Sequence, residues 1–252
     1  LTAEPDPPQK LCYLLRVMKS RMVALALLAL GPAVAFRVGG VGLWIVMAST
    51  CVLAAVLSAW ELHQDGILRD VMRRQGFDLM LGLGVALGLL VAVTFVFNRW
   101  IAPVEFAGGV FRRCRLDGPL LPRLEPHGAE RVSEWLRGQV CRGYGASLAI
   151  DHGLRAPVIF LLASLEEFAW RGGVQQALSE RLGSTRGWLA TSVVYALVHA
   201  LTPTPGLALL ALPCGLLWGG LYRYRGRLVP GVFSHGVFSM FLFATRPLVT
   251  FA

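Results

Sequence analysis

Five ionisable residues stand inside otherwise apolar runs of the C-terminal half: Glu166, Glu167, Arg171, His199 and His235. Facing lipid, each costs several kcal/mol, so together they call for a shared polar interior or for helix ends. On a helix, Glu167 and Arg171 are four positions apart, share a face and can pair. Glu166 is offset from them by roughly 100°. This spacing makes Glu167–Arg171 a structural ion pair and leaves Glu166 as the carboxylate open to chemistry. His199 lies four residues after Tyr195, and His235 four before Ser239, so each pair also shares a face. A glutamate and two histidines from three helices can converge on one water. The glutamate takes its proton as general base. A histidine stabilises the developing oxyanion or hands a proton to the leaving amine. Alternatively, Glu166, His199 and His235 hold a zinc ion, which lowers the pKa of its bound water. Taken singly, each feature also has a plain structural reading, as a histidine bonding between helices or a charged helix end. Their order and apolar setting together argue for a site. The zinc signature HExxH and the serine elbow GxSxG are both absent from the sequence.

The elements that must position these residues follow from composition. The 252 residues are 55% hydrophobic and 15% charged, against about 25% charged in a typical soluble domain. Mean hydropathy is +0.59. This excludes a disordered chain and argues against an ordinary soluble enzyme. The net charge of +9 can signal nucleic acid. Here the arginines sit between long apolar runs, which points instead to a membrane protein with basic loops and no nucleic-acid partner. We expect an all-α, polytopic transmembrane helical bundle of about seven (six to eight) spans. The runs are Met22–Phe36, Val41–Trp60, Leu79–Phe97, Pro157–Leu178, Gly187–Leu201, Gly206–Tyr222 and Leu228–Thr245.

Five regions result. Residues 1–21 form a polar and basic tail, its first ten residues mobile, and 22–97 hold three transmembrane helices. Residues 98–156 form an Arg-rich loop or interfacial segment, with an amphipathic helix near Glu130–Val140. Residues 157–245 are the candidate catalytic core, and 246–252 a second tail. Gly172 and Gly173 would let another helix approach closely. Loop charges place the N-terminus in the cytoplasm, because Arg69–Arg74, Arg181–Arg186 and Arg223–Arg227 fall on its side if seven helices alternate. The misfit is 98–155, which alternation puts on the other side with nine arginines. The five cysteines are scattered without a CxxC pattern and read as inert thiols, although Cys114 and Cys141 can pair in an oxidising compartment.

The motifs resemble those of the CPBP family, the CAAX proteases and bacteriocin-processing enzymes also called Abi proteins. Glu166-Glu167-Phe168-Ala169-Trp170-Arg171 matches the family's EExxxR. Tyr195-Ala196-Leu197-Val198-His199 matches its aromatic-xxx-His, with Tyr for the commoner Phe. His235-Gly236-Val237-Phe238-Ser239 matches its third motif at the histidine but has Ser where Asn is usual. The resemblance spans about 157–245 and implies an intramembrane endopeptidase of the Ras-converting type, with a myxosortase-like bacterial member as one subtype. By position it implies Glu166 and His199 activating water, His235 with Ser239 at the oxyanion, and Glu167 and Arg171 shaping the site. It leaves metal dependence open. A serine hydroxyl can donate a hydrogen bond but reaches less far than an amide.

The expected activity is therefore hydrolysis of a peptide bond near the C-terminus of a membrane-associated or lipid-tethered protein or peptide, in a bacterial inner membrane. Zinc is the one cofactor to consider. The rivals are a non-catalytic immunity or peptide-binding protein, towards which Ser239 would be a step, and a transporter with an intramembrane proton relay. The absence of visible internal repeats counts against the transporter.

Overall fold

The computed structural model describes residues 7–73, 75–100, 105–106, 114–115, 150–202, 204, 206–245 and 250–251. Among these residues, seven helical rods occupy the seven apolar runs. They are α1 (Pro7–Val38), α2 (Gly40–Gln64), α4 (Gly76–Trp100), a long rod from His152 to Leu182, α7 (Ser184–Ala200), α8 (Leu207–Arg225) and α9 (Val229–Met240). The short α3 (Leu68–Met72) links α2 to α4. The all-α bundle read from the sequence is the observed fold. By length and hydropathy alone, three helices are long and apolar enough to cross a membrane: Gly40–Gln64, Gly76–Val96 and Leu207–Arg225. Shorter apolar helices run over Val23–Val38 and Val229–Ala244.

The burial pattern is that of a chain solvated by lipid. Large apolar side chains point outward, among them Ile45, Val56, Met80, Val91 and Leu209. Polar ones lie inside, including Ser58, Asp78, Glu167, Arg171 and Gln175. A soluble protein would not leave so much apolar surface uncovered. Within the bundle, α1 packs on α2, α7 on α8, and α9 on both α4 and the rod that begins at His152.

That rod comprises α5 (His152–Glu167), a π-helical stretch over Phe168–Gln175, and α6 (Gln176–Leu182). The motif spacing predicts an unbroken α-helix here. The π stretch instead begins directly after the two glutamates. Its wider i→i+5 turns are uncommon and frequent at functional sites. Gly172 and Gly173 are poor α-formers, which lowers the cost of departing from the α geometry here. They also permit the close approach expected of them. A Cβ at Gly173 would run into Ser58 Oγ of α2, and one at Gly172 would come within 3.0 Å of Leu62 Cδ1.

Several helices extend beyond the apolar runs. The N-terminal tail is already helical from Pro7, since α1 continues well before the apolar run at residue 22. The core begins at His152 rather than 157, with the Asp151 carboxylate accepting from Gly153 N–H at 2.9 Å and capping the helix. Thr250–Phe251 pairs antiparallel with Cys114–Arg115, which pairs antiparallel with Glu105–Phe106. The amphipathic helix near 130–140 and any Cys114–Cys141 bond lie outside the described residues. Cys51 and Cys214 are buried free thiols.

Three of the basic connections meet at one end of the bundle. Arg223 Nη2 donates to Thr185 Oγ1 at 2.9 Å. Arg225 Nη2 and Arg227 Nη1 reach Asp78 at 2.8 and 3.1 Å. Leu228 N–H donates to the Val71 carbonyl at 2.9 Å. The turns α1–α2 and α7–α8 are therefore at the opposite end.

Candidate active site

The two glutamates of α5 separate as their spacing requires. Glu167 is fully buried and lies 3.2 Å from Arg171, which is also buried. Glu166, one residue earlier, is half-buried and lines a cavity. The ion pair does more than neutralise itself. Arg171 Cζ sits over the Tyr195 ring at 5.2 Å from its centroid. Glu167 Oε1 lies 3.3 Å from His235 Nδ1. The first motif thus contacts the second through its arginine and the third through its glutamate. Two charges this deep are tolerable only with such compensation.

Each histidine has its Nδ1 beside an oxygen. His199 Nδ1 is 2.8 Å from the carbonyl oxygen of Tyr195, one turn earlier on α7. A carbonyl only accepts, so Nδ1 carries the proton and Nε2 is left with its lone pair. The Tyr195 ring lies against the His199 imidazole, with centroids 4.4 Å apart, and meets Trp170 edge-on at 5.2 Å. His235 has Nδ1 towards Glu167, and its ring lies nearly parallel to the Trp218 indole, with centroids 3.8 Å apart at 24°. Gly236, the next residue on α9, allows this seat. A Cβ there would come within 2.7 Å of Phe160 Cε2 and 2.9 Å of Ser164 Oγ on α5.

These groups border one cavity of about 190 Å³. Glu166, Tyr195, His199, His235 and Ser239 all line it, with Trp218 and Cys214 of α8. The remaining lining is mostly apolar and includes Phe36, Leu43, Trp44 and Met47 of α1 and α2. A second space of about 150 Å³, lined by Leu28, Pro32, Thr50, Cys51 and Trp170 among others, shares Glu166 and His199 with the first. Glu166 and His199 therefore stand where two lobes meet. The cavity lies towards the α1–α2 and α7–α8 turns, away from the basic end.

Of the residues singled out in the sequence, Glu166, His199, His235, Tyr195 and Ser239 are brought to one cavity, while Glu167 and Arg171 lie directly behind it. Three residues went unread: Trp218, Trp170 and Gln175. None is ionisable, and an aromatic residue in an apolar run gives no periodic sign of what it touches. As ligands, Glu166, His199 and His235 do not fit a shared zinc ion as they are placed. Among the described residues, no group of three or more His, Cys, Asp or Glu is gathered closely enough to hold a metal.

The family model described as Rce1-like, type II CAAX prenyl endopeptidase, matches residues 153–241. No curated protein and no solved structure matches the chain. The matched segment runs from the start of α5 to the end of α9 and contains all three motifs, whereas α1 and α2, which complete the cavity wall, lie outside it. With its motifs gathered around one cavity, the segment 153–241 is a domain of the CPBP family of CAAX-type proteases, hydrolases that act on membrane-associated proteins.

Proposed function

We propose that the protein is an intramembrane endopeptidase in which Glu166 activates water. The observation that carries this reading is the convergence of Glu166, His199, His235 and Ser239 from three helices on one cavity. A water between Glu166 and His199 Nε2 gives up a proton to the carboxylate as its oxygen attacks the peptide carbonyl. His235, carrying a proton on each nitrogen beside the Glu167 carboxylate, donates from Nε2 to the developing oxyanion, and the Ser239 hydroxyl donates beside it. The C–N bond then breaks, and the proton held by Glu166 goes to the departing amine. Glu167 and Arg171 hold the histidines in place. No step is assigned to a metal.

The substrate is a membrane-associated or lipid-tethered protein or peptide cut near its C-terminus. In a bacterium, bacteriocins, pheromone-like peptides and sorting-signal tails have that form. The apolar lining favours a hydrophobic sequence at the cut. We place the protein in a bacterial inner membrane with the three clustered basic loops, and the N-terminus, on the cytoplasmic face. Single cysteines introduced at Arg73 and Arg186 should then resist a membrane-impermeant thiol reagent in intact cells. Their labelling there would invert the orientation.

The decisive experiment is cleavage of such peptides by the protein purified in nanodiscs, with Glu166→Ala and His199→Ala beside the wild type. Loss of turnover in both variants supports the assignment. Wild-type rates in both would overturn it, and peptide binding without turnover in any of the three would favour a peptide-binding role.

A further inference from the structure

The helix α8 carries none of the three motifs, yet it is fixed in register with unusual care. Gln175 Nε2, at the end of the π stretch, donates to the Gly219 carbonyl at 2.9 Å. Trp188 Nε1 of α7 donates to the Leu216 carbonyl at 2.9 Å. These two bonds flank Trp218. The side chain of Trp218 is 1% exposed, and its indole N–H donates to Ser234 Oγ at 3.1 Å. Ser234 immediately precedes His235, the residue on which the indole face lies.

We propose that Trp218 is a positioning residue for His235, acting as a flat backstop that aims Nε2 into the cavity. Three features support it. The contact is nearly parallel, 24° between planes, whereas Trp218 meets its other aromatic neighbour, Phe238, at 66° in the edge-on manner common in cores. The Ser234 bond fixes the indole from one edge, so the ring cannot turn about its own axis without losing that bond. Glu167 Oε1 lies 3.3 Å from Nδ1, so the indole face and the carboxylate together define the plane of the imidazole and which nitrogen is turned to the cavity. Without the indole, the imidazole can rotate about its side-chain bonds into the space vacated, and Nε2 leaves the oxyanion.

This inference rests on the hydrolytic reading above, and its test separates the two. Wild type, Glu166→Ala, Trp218→Leu, Trp218→Phe and Ser234→Ala are assayed in nanodiscs on one peptide substrate. Trp218→Leu keeps apolar bulk but loses the flat face. It should lower kcat by about 100-fold, the scale of a misplacement near 1 Å, with KM nearly unchanged. Trp218→Phe, which restores a face, should recover most of kcat, and Ser234→Ala should fall between the two. In histidine-labelled protein, the His235 Hε1 resonance should move downfield in Trp218→Leu as the indole ring current is lost. A wild-type kcat in Trp218→Leu beside an inactive Glu166→Ala would overturn the inference and leave the protease reading standing. An active Glu166→Ala would sink the Glu166 mechanism instead. The resonance still judges Trp218 in that case, because an unmoved Hε1 signal means that the indole does not hold His235. If Trp218→Leu does not fold, the comparison of Trp218→Phe with Ser234→Ala decides, and equal wild-type kcat in both overturns the inference.

Discussion

Glu167 Oε1 lies 3.3 Å from His235 Nδ1, and the same oxygen lies 3.2 Å from Arg171 Nη2. One buried carboxylate thus ties the first motif to the third, while Arg171 reaches the second through the Tyr195 ring. The two adjacent glutamates therefore stand in different settings, and substitution should separate them.

Glu167→Ala leaves Arg171 buried without its counter-charge, so it should destabilise the protein by about 3–5 kcal/mol and abolish cleavage through loss of structure. The double variant Glu167→Gln with Arg171→Met removes both charges together and should regain much of that stability without regaining full activity, because His235 has lost the carboxylate at Nδ1. Thermal unfolding in nanodiscs measures the first effect and peptide cleavage the second. A single Glu167→Ala variant as stable as wild type would contradict the role given to the pair.

Glu166→Gln should behave oppositely. The residue is half-buried beside a cavity, and the amide matches the carboxylate in shape. The melting temperature should stay near that of wild type while kcat falls by about 10²–10⁴-fold, the usual contribution of a positioned base. Ser239→Ala should cost about 10-fold or more in kcat at constant KM, since an oxyanion donor acts only as charge develops. Ser239→Asn, which installs the side chain usual in the family, should retain activity. An unchanged kcat in Ser239→Ala would remove the hydroxyl from the oxyanion.

The helical bundle was legible because hydropathy alone marks spans. The separate placement of Glu166 and Glu167 was legible because a one-residue step on any helix turns a side chain to a new face. Other features depend on partners distant in sequence. The π stretch at Phe168–Gln175 lies where α2 packs against Gly173, and the low α propensity of the two glycines does not by itself specify it. The stack of Trp218 on His235 joins two helices through a residue with no charge to betray it. The arginines at 225 and 227 read only as markers of orientation, yet both are bound to the fully buried Asp78. Sequence patterns report what a helix shows to its surroundings, and they say little about which neighbour it meets.

Metal removal tests the placement of the histidines. His235 turns Nδ1 to Glu167 and stacks on Trp218, and Glu166, His199 and His235 are not gathered as an ion would require. Prolonged dialysis against a strong chelator should therefore leave peptide cleavage within about twofold of the untreated enzyme, less than one pKa unit's worth of free energy. Loss of activity restored by zinc would mean that the side chains regroup around an ion, and it would replace the glutamate mechanism with a metal one.

The clamp at the basic end should matter for stability and not for chemistry. Asp78 accepts from Arg225, from Arg227 and from the Gln75 backbone N–H at 2.9 Å, and so ties the start of α4 to the turn between α8 and α9. Both arginines are about 20% exposed and can rehydrate when the carboxylate is lost. Asp78→Asn should therefore cost about 1.5–3 kcal/mol, the range of a charged hydrogen bond, and lower the melting temperature. Because the cavity lies towards the other end of the helices, kcat measured well below that temperature should equal the wild-type value. A matching fall in kcat would show that α9, and with it His235, is positioned from the basic end.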